Sequence, residues 1–422
     1  MDRKIVRGSV IAAGLLLAAL LSLGLRSPSL AGGGTGAPGC AATTVARAQA
    51  PAPSPAPPAA PAPPARVVVA GAGDIILHGR VHLSAQQRSR GEENNQGYDE
   101  LFDGVAAALA GADVSVANLE FPILKEHKPA KPFIFSGDPY ALRAASRAGF
   151  TGFTSANNHA YDQGRAGVES TARLCKKEGD VCLGVGESRE DAERPLLFER
   201  NGIRLAVIGY TTVANDNMNS KLGIAPHVNG YDADNLVAQV QAQAANADCV
   251  VVVIHWGEEY REQPTPDQRA LAARLTAAGA CLVIGHHPHV IEPIEPAAMP
   301  DGRRALVAYS LGNFVSNQER KNPEHENRIG AILRVTLVKG PKGVEVESWE
   351  SLPVWMRNVT EFESSRSYED MEVVVLPAAL REVEAKLATA SAADRPALER
   401  ERDFYRGRIE AAERMLVAPR SP

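Results

Sequence analysis

The stretch Ile284–Glu292, IGHHPHVIE, sets three histidines into four positions directly behind the apolar run Cys281–Ile284. Imidazole is both a nitrogen ligand for divalent ions and the side chain whose proton moves near neutrality. A histidine cluster where a buried strand reaches a loop is therefore placed for metal chemistry. His287 and His289 are two apart, and Pro288 between them favours extended backbone, which sends both rings to one side and His286 elsewhere. Alone, such a pair is equally compatible with a polar loop edge. Other apolar runs end in polar groups too: Gly73-Asp74; NLE, with Asn118 and Glu120; ANNHAYDQG, with Asn157, Asn158, His159 and Asp162; IHWGEEY, with His255, Glu258 and Glu259; and SLGNF, with Asn313.

Carboxylate, amide oxygen and imidazole without thiolate suit Zn²⁺, Mn²⁺ or Fe²⁺, and the absence of clustered cysteines excludes a thiol-rich structural zinc site. One or two ions are expected. Two would hold a bridging water acidic enough to supply hydroxide to a phosphorus or carbonyl carbon. The donor types gathered at these strand ends include Asp74, Glu120, Asn158, His255, His287 and His289. His159, beside a ligand, is the expected acid, and Glu258 a base, a substrate contact or a carboxylate orienting a histidine. Asn118, Asn313 and Asp162 are expected to meet substrate, with Lys128, Lys131 and Arg165 as further contacts for an anion. Each residue also has a plainer job, Asp74 as a helix cap and His255 as a satisfied core histidine.

Positioning these groups requires strands. Short β-branched runs at Val67–Ala72, Asp113–Ala117, Gly152–Ser155, Arg204–Tyr210, Val250–His255, Leu282–Gly285 and Ala305–Tyr309 alternate with helical patterns at Glu100–Ala110, Pro139–Ala148, Gly167–Glu178, Asp232–Ala245 and Thr265–Ala278. That alternation predicts an α/β layered fold with its site at the carboxyl ends of the strands. From Ile329, ILRVTLV, a Gly-Pro-Lys-Gly turn and VEVESW read as an antiparallel hairpin. Residues 360–422 are charge-rich and helical by pattern, at Pro377–Ala388 and Ala393–Leu416, as a solvated appendage or a packing arm.

The 422 residues carry a formal net charge of −5 and no basic-aromatic module, so nucleic acid is not an expected partner. Arg3, Lys4 and Arg7 precede an apolar stretch from Val10 to Leu25, the layout of an export signal or membrane anchor over residues 1–31. Residues 32–65, rich in Ala and Pro, read as an extended linker, and the folded domain as 66–359. Export to the periplasm or cell surface is expected. Five cysteines are too few for a disulfide scaffold, although Cys175 and Cys182 are close enough to pair; Cys249 and Cys281 read as small core residues, and His78, His82, His127, His227 and His325 as surface residues.

Taken in order, GDIIL, NLE, SANNHAYDQG, IHWGEEY, IGHHPHVIEPIE and YSLGNFV resemble the motif series of the bacterial CapA, or poly-γ-glutamate capsule biosynthesis, family, related to calcineurin-like metallophosphatases. The resemblance runs from about Val67 to Val315. It implies a four-layer α/β/β/α metallophosphatase-like sandwich with a C-terminal helical appendage. It also implies a role in synthesis of poly-γ-glutamate or a related anionic polymer, with membrane capsule-synthesis proteins as partners. Residue by residue, Asp74 stands for the first-strand metal aspartate, Asn158 for the amide ligand, His159 for its neighbouring acid, and His255, His287 and His289 for the imidazole ligands. Two positions depart: Ile76 stands where metallophosphatases carry a histidine, and Glu120 where they use a bridging aspartate. Two other roles stay open on these residues, a general periplasmic metallophosphoesterase acting on phosphoesters and a non-catalytic polymer-binding component.

Overall fold

The computed structural model describes residues 63–89, 96–124, 133–179, 181–215, 227–318, 327–358 and 370–416. The expected export segment, most of the linker, His127, Lys128, Lys131 and His325 lie outside the described residues. The strands, in chain order, are β1 (Arg66–Ile75), β2 (Val114–Leu119), β3 (Gly152–Thr154), β4 (Cys182–Leu183), β5 (Val185–Gly186), β6 (Leu196–Arg200), β7 (Ile203–Thr211) and β8 (His227–Val228). They continue with β9 (Cys249–His255), β10 (Ala280–His286), β11 (Ile291–Ala298), β12 (Arg304–Leu311), β13 (Asn313–Val315), β14 (Ile329–Gly340), β15 (Gly343–Asn358) and β16 (Met371–Val375).

One sheet runs β16-β15-β14-β1-β2-β3-β4, with β13 paired to β1; the second runs β11-β12-β10-β9-β7-β6, and β5 pairs β8 separately. The runs CVVVVIH and ACLVIGH are apolar on both faces because both faces are covered, as parallel strands require. Val67, Val69, Val114 and Val116 of the first sheet meet Leu205, Val207, Val251, Val253, Leu282 and Ile284 of the second in one core. The other face of the first sheet packs on the helices Gly79–Arg88 and Pro139–Ala148, through Val81, Ala85, Leu142 and Ala145. The other face of the second packs on the helices Ala233–Ala244 and Pro266–Ala278, through Leu236, Val240, Leu271 and Leu275. The architecture is the expected four-layer α/β/β/α sandwich. The hairpin β14–β15 turns at Gly340–Gly343, as the Gly-Pro-Lys-Gly segment predicts.

Several differences from the sequence expectation have local causes. The helix expected at Glu100–Ala110 is two 3₁₀ turns, Asp99–Leu101 and Asp103–Val105, and a single helical turn, Ala106–Leu109. Gly104, costing about 1 kcal/mol in a helix, interrupts it. The unforeseen β11 contains Pro293 and Pro296, which a strand tolerates because β11 is an edge. Among the C-terminal residues, β16 adds antiparallel to β15, and the helices Leu376–Thr389 and Arg395–Leu416 bury Leu376, Val383, Tyr405 and Met415 in the intersheet cluster. They form a packing arm. The disulfide Cys175–Cys182 is present as its spacing allowed. Cys249 and Cys281 are buried in the intersheet core as expected, and they are also disulfide-bonded, because β9 and β10 lie side by side with their Cα atoms 5.8 Å apart.

The register places His255 opposite His286 across β9 and β10, and Asp74 opposite Asn313 across β1 and β13. Gly285 permits this. A methyl group there would lie 1.8 Å from the Tyr309 carbonyl oxygen and 2.4 Å from Trp256 Nε1, which donates to that carbonyl at 2.8 Å. Gly285→Ala is expected to lower stability by about 3 kcal/mol through overpacking, read as a reduced urea midpoint at constant slope. An unchanged midpoint would show that β10 and β12 separate freely.

Candidate metal centre

The carboxyl ends of β1, β2, β9 and β10 meet between the sheets. Asp74, the ninth residue of β1, is fully buried. Its Oδ1 accepts from Asn118 Nδ2 at 2.8 Å and faces His286 Nδ1 at 3.0 Å; its Oδ2 lies 3.2 Å from His289 Nδ1. Glu120, just past β2, is equally buried, and its Oε2 accepts from Asn118 Nδ2 at 3.0 Å. Around Glu120 Oε1 stand His289 Nε2 at 3.7 Å, His255 Nε2 at 3.9 Å and His159 Nε2 at 4.0 Å. His255 Nε2 also faces Asn158 Oδ1 at 2.9 Å.

Two donor groups, Asp74–Glu120–His289 and Glu120–His255–His287, have ligand atoms within 4.8 Å of one another and share Glu120. Glu120 Oε1, His286 Nε2 and His287 Nδ1 are buried without a hydrogen-bond partner. Leaving such atoms unpaired costs about 1–3 kcal/mol each, a cost that a bound cation removes for whichever of them ligate it. The donor set therefore fits a divalent ion of the nitrogen- and oxygen-binding kind.

The charges agree. Burial alone would raise the Asp74 carboxyl, yet its hydrogen bonds to His286 and His289 hold it well below the usual carboxylate range. Burial drives Glu120 well above its ordinary value; His289 opposes this, and the nearby Asp74 carboxylate adds to it. Burial would lower His289, but Glu120 and Asp74 outweigh it and raise the imidazole to about 9. Burial and the neighbouring His287 push His255 well down, and burial and His289 bring His287 to about 3, so both are neutral imidazoles, the ligating form. The trio Asp74, Glu120 and His289 thus retains a proton near neutrality where an ion would supply positive charge.

The expected ligands Asp74, Glu120, Asn158, His255, His287 and His289 are brought together. His159 is beside them, its Nδ1 held by Asp162 Oδ2 at 2.7 Å and its ring 4.4 Å from Phe135 between centroids. Several expectations meet a different geometry. Glu258 is exposed and pairs with Arg261 at 3.1 Å, away from the cluster; its neighbour Glu259 belongs to a donor group with His287 and His289. Asn118, Asn313 and Asp162, expected at a substrate, are each hydrogen-bonded within the protein. Asn118 joins Asp74, Glu120 and Asn157; Asn313 Oδ1 faces His289 Nδ1 at 3.1 Å; Asp162 accepts from the Phe135 amide as well as holding His159. His286 does not turn elsewhere, because β10 runs through it and carries it onto Asp74, while His287 and His289 take positive φ of 99° and 57° rather than extended backbone. His82 and His227 are buried, and partly buried His78 packs edge-on against Phe135 and accepts from the Asn317 amide. Arg165 is exposed and paired with Glu169. Ile76 is buried among apolar residues and supplies no ligand.

Residues 68–318 match the family described as bacterial capsule synthesis protein PGA_cap. The PGA biosynthesis protein CapA of Bacillus subtilis (strain 168) is 33% identical over 250 residues, covering 58% of this chain and 62% of that protein. The capsule biosynthesis protein CapA of Bacillus anthracis is 33% identical over 240 residues, covering 53% and 56%. The matched region spans less than two thirds of these curated relatives. Among solved structures, the calcineurin-like phosphoesterase YfkN from Bacillus subtilis aligns with a TM-score of 0.41 at 12% identity, covering 82% of this chain and 100% of that one. A phosphatase from Mycoplasma pneumoniae aligns with a TM-score of 0.41 at 12% identity, covering 69% and 94%.

Proposed function

The chain belongs to the bacterial capsule synthesis protein family PGA_cap, and from that premise we propose that it is an exported component of poly-γ-glutamate or related capsule-polymer synthesis carrying a divalent-cation hydrolase or transferase centre. The observation that carries this is the convergence of Asp74, Glu120, His255, His287 and His289, buried, with Glu120 Oε1 and His287 Nδ1 unpartnered. Asp74, Glu120, Asn158, His255, His287 and His289 would hold the ion or ions. Such an ion supplies Lewis acidity and an acidified water to a phosphoester or amide. His159, oriented by Asp162 and resting on Phe135, presents Nε2 toward Glu120 and can move a proton at the leaving group. Asn118 fixes the two carboxylates relative to each other. Export is supported by two disulfides, which persist in oxidising compartments. Among the described residues no helix is long and apolar enough to cross a membrane.

Elemental analysis of the purified protein tests this: one or two equivalents of Zn, Mn or Fe are expected, with phosphoester or polymer turnover lost on chelation. A folded protein that takes up no ion after incubation with Zn²⁺ or Mn²⁺ would refute it. Buried, apolar Ile76 favours a second reading, a polymer-binding assembly component without turnover. Retention of poly-γ-glutamate that survives chelation would support it.

A further inference from the structure

Glu292, the second residue of β11, is fully buried and takes no part in the cation centre. Its Oε2 accepts from Gln268 Nε2 at 2.8 Å, and its Oε1 has no hydrogen-bond partner. The cations nearest to it are engaged elsewhere. Arg269 of the helix Pro266–Ala278 holds Glu295 at 2.8 Å and lies over the Tyr309 ring of β12, and Arg261 on the loop after β9 holds Glu258 at 3.1 Å. Ser310, which faces Glu292 across β11 and β12, is uncharged. A carboxyl with a single amide donor and no ion pair is accommodated in such a place as the neutral acid, because burying an unpaired charge costs far more than burying a hydrogen-bonded polar group.

The hydrogen bond to Gln268 reaches the loop 256–265 that follows β9. Gln268 Oε1 accepts from the Thr265 amide at 2.8 Å, and the Gln268 amide donates to Thr265 Oγ1 at 3.1 Å, a capping box at the start of the helix. The same side chain covers Gly257, whose φ is 91° and where a methyl group would lie 2.7 Å from Gln268 Nε2. Gln268 therefore touches the loop at both ends. Along its length the loop is sewn to the histidine segment, the Trp256 amide donating to the His286 carbonyl at 3.0 Å and the Tyr260 amide to the Pro288 carbonyl at 2.7 Å. We propose that Glu292 is a proton-controlled latch: as a neutral acid it holds Gln268, and through it the loop 256–265, against the histidine segment, and on losing its proton it lets that loop open. Opening hydrates the new charge, which supplies the driving force. Burial pushes the Glu292 carboxyl from its ordinary 4.5 up to about 8, against the opposing pull of Gln268, Arg261 and Arg269. The closed loop is thus favoured fully below 4.5, where both states keep the proton, and its advantage shrinks as pH rises to about 8.

Amide hydrogen exchange on the full chain, expressed as protection relative to an unstructured peptide at the same pH, reads the latch. In wild type, protection of the amides in 256–265 should fall at least about tenfold from pH 6 to pH 8. Glu292→Gln keeps the shape and the bond to Gln268 but cannot ionise, and its protection should stay within about twofold over that range. Glu292→Met, neutral but unable to accept from Gln268, should show low protection at both pH values. An equal fall in wild type and Glu292→Gln, or no fall in wild type, would overturn the latch. So would a Glu292→Gln chain that fails to fold, because a site that holds a neutral acid must accept the amide of the same shape. The readout needs no bound ion, so a chain that takes up no cation would refute the cation centre and leave the latch standing.

Discussion

Asp74→Asn is expected to weaken binding of a divalent cation by about a thousandfold while the chain still folds. The substitution keeps shape and hydrogen-bonding capacity but removes a charge fully buried between His286 and His289. Breaking one partner of a buried charge pair costs about 3–5 kcal/mol, and about 1.4 kcal/mol corresponds to a factor of ten. Isothermal titration with Zn²⁺ or Mn²⁺ reads the affinity directly, and circular dichroism reports the fold. Affinity within about threefold of wild type would mean that Asp74 is a structural partner of the histidines and no ligand.

The second large effect is on pH. His289 is raised to about 9 in the metal-free protein and must lose its proton to ligate. Below about pH 9 each ion therefore displaces a proton, and affinity should rise about tenfold per pH unit from 7 to 9 and level off above. The linkage to stability has the opposite sign. The extra proton on His289 stabilises the metal-free fold fully below pH 6.5, the ordinary imidazole value, and this contribution is lost as pH rises through about 9. Titrations in buffers of differing ionisation enthalpy should show about one proton released per ion at pH 7. Affinity independent of pH would show that His289 takes no part.

Much of this was legible in the chain. The strands carrying Asp74, Glu120, His255 and the histidine loop are apolar enough to be read from composition, and their polar endings mark where the site must lie. What escaped depends on geometry that spacing does not encode. Glu258 and Glu259 are adjacent, and spacing does not say that Glu258 meets Arg261 while Glu259 lies near His287 and His289. A period of two sends His286 away from the site, but β10 ends at His286, and His287 and His289 leave the extended region. Nothing local to Asn118 or Asn313 reveals that their amides join elements far apart in sequence. The helix Gly79–Arg88 has no clear sequence signature because it mixes buried Val81 and Ala85 with buried His82 and Ser84, which blurs its apolar stripe.

The bond between Cys249 and Cys281 sits at the amino ends of β9 and β10, and the imidazoles of His255 and His286 at the carboxyl ends. Unlinked parallel strands can slip by one residue, and that slip would turn each side chain to the opposite face of the sheet. Pinned at one end, the two strands have a single permitted phase, and the imidazoles arrive in step before any ion is present. A reducing compartment would leave every side chain of the cluster in the chain but remove the clamp that fixes the phase of the two strands.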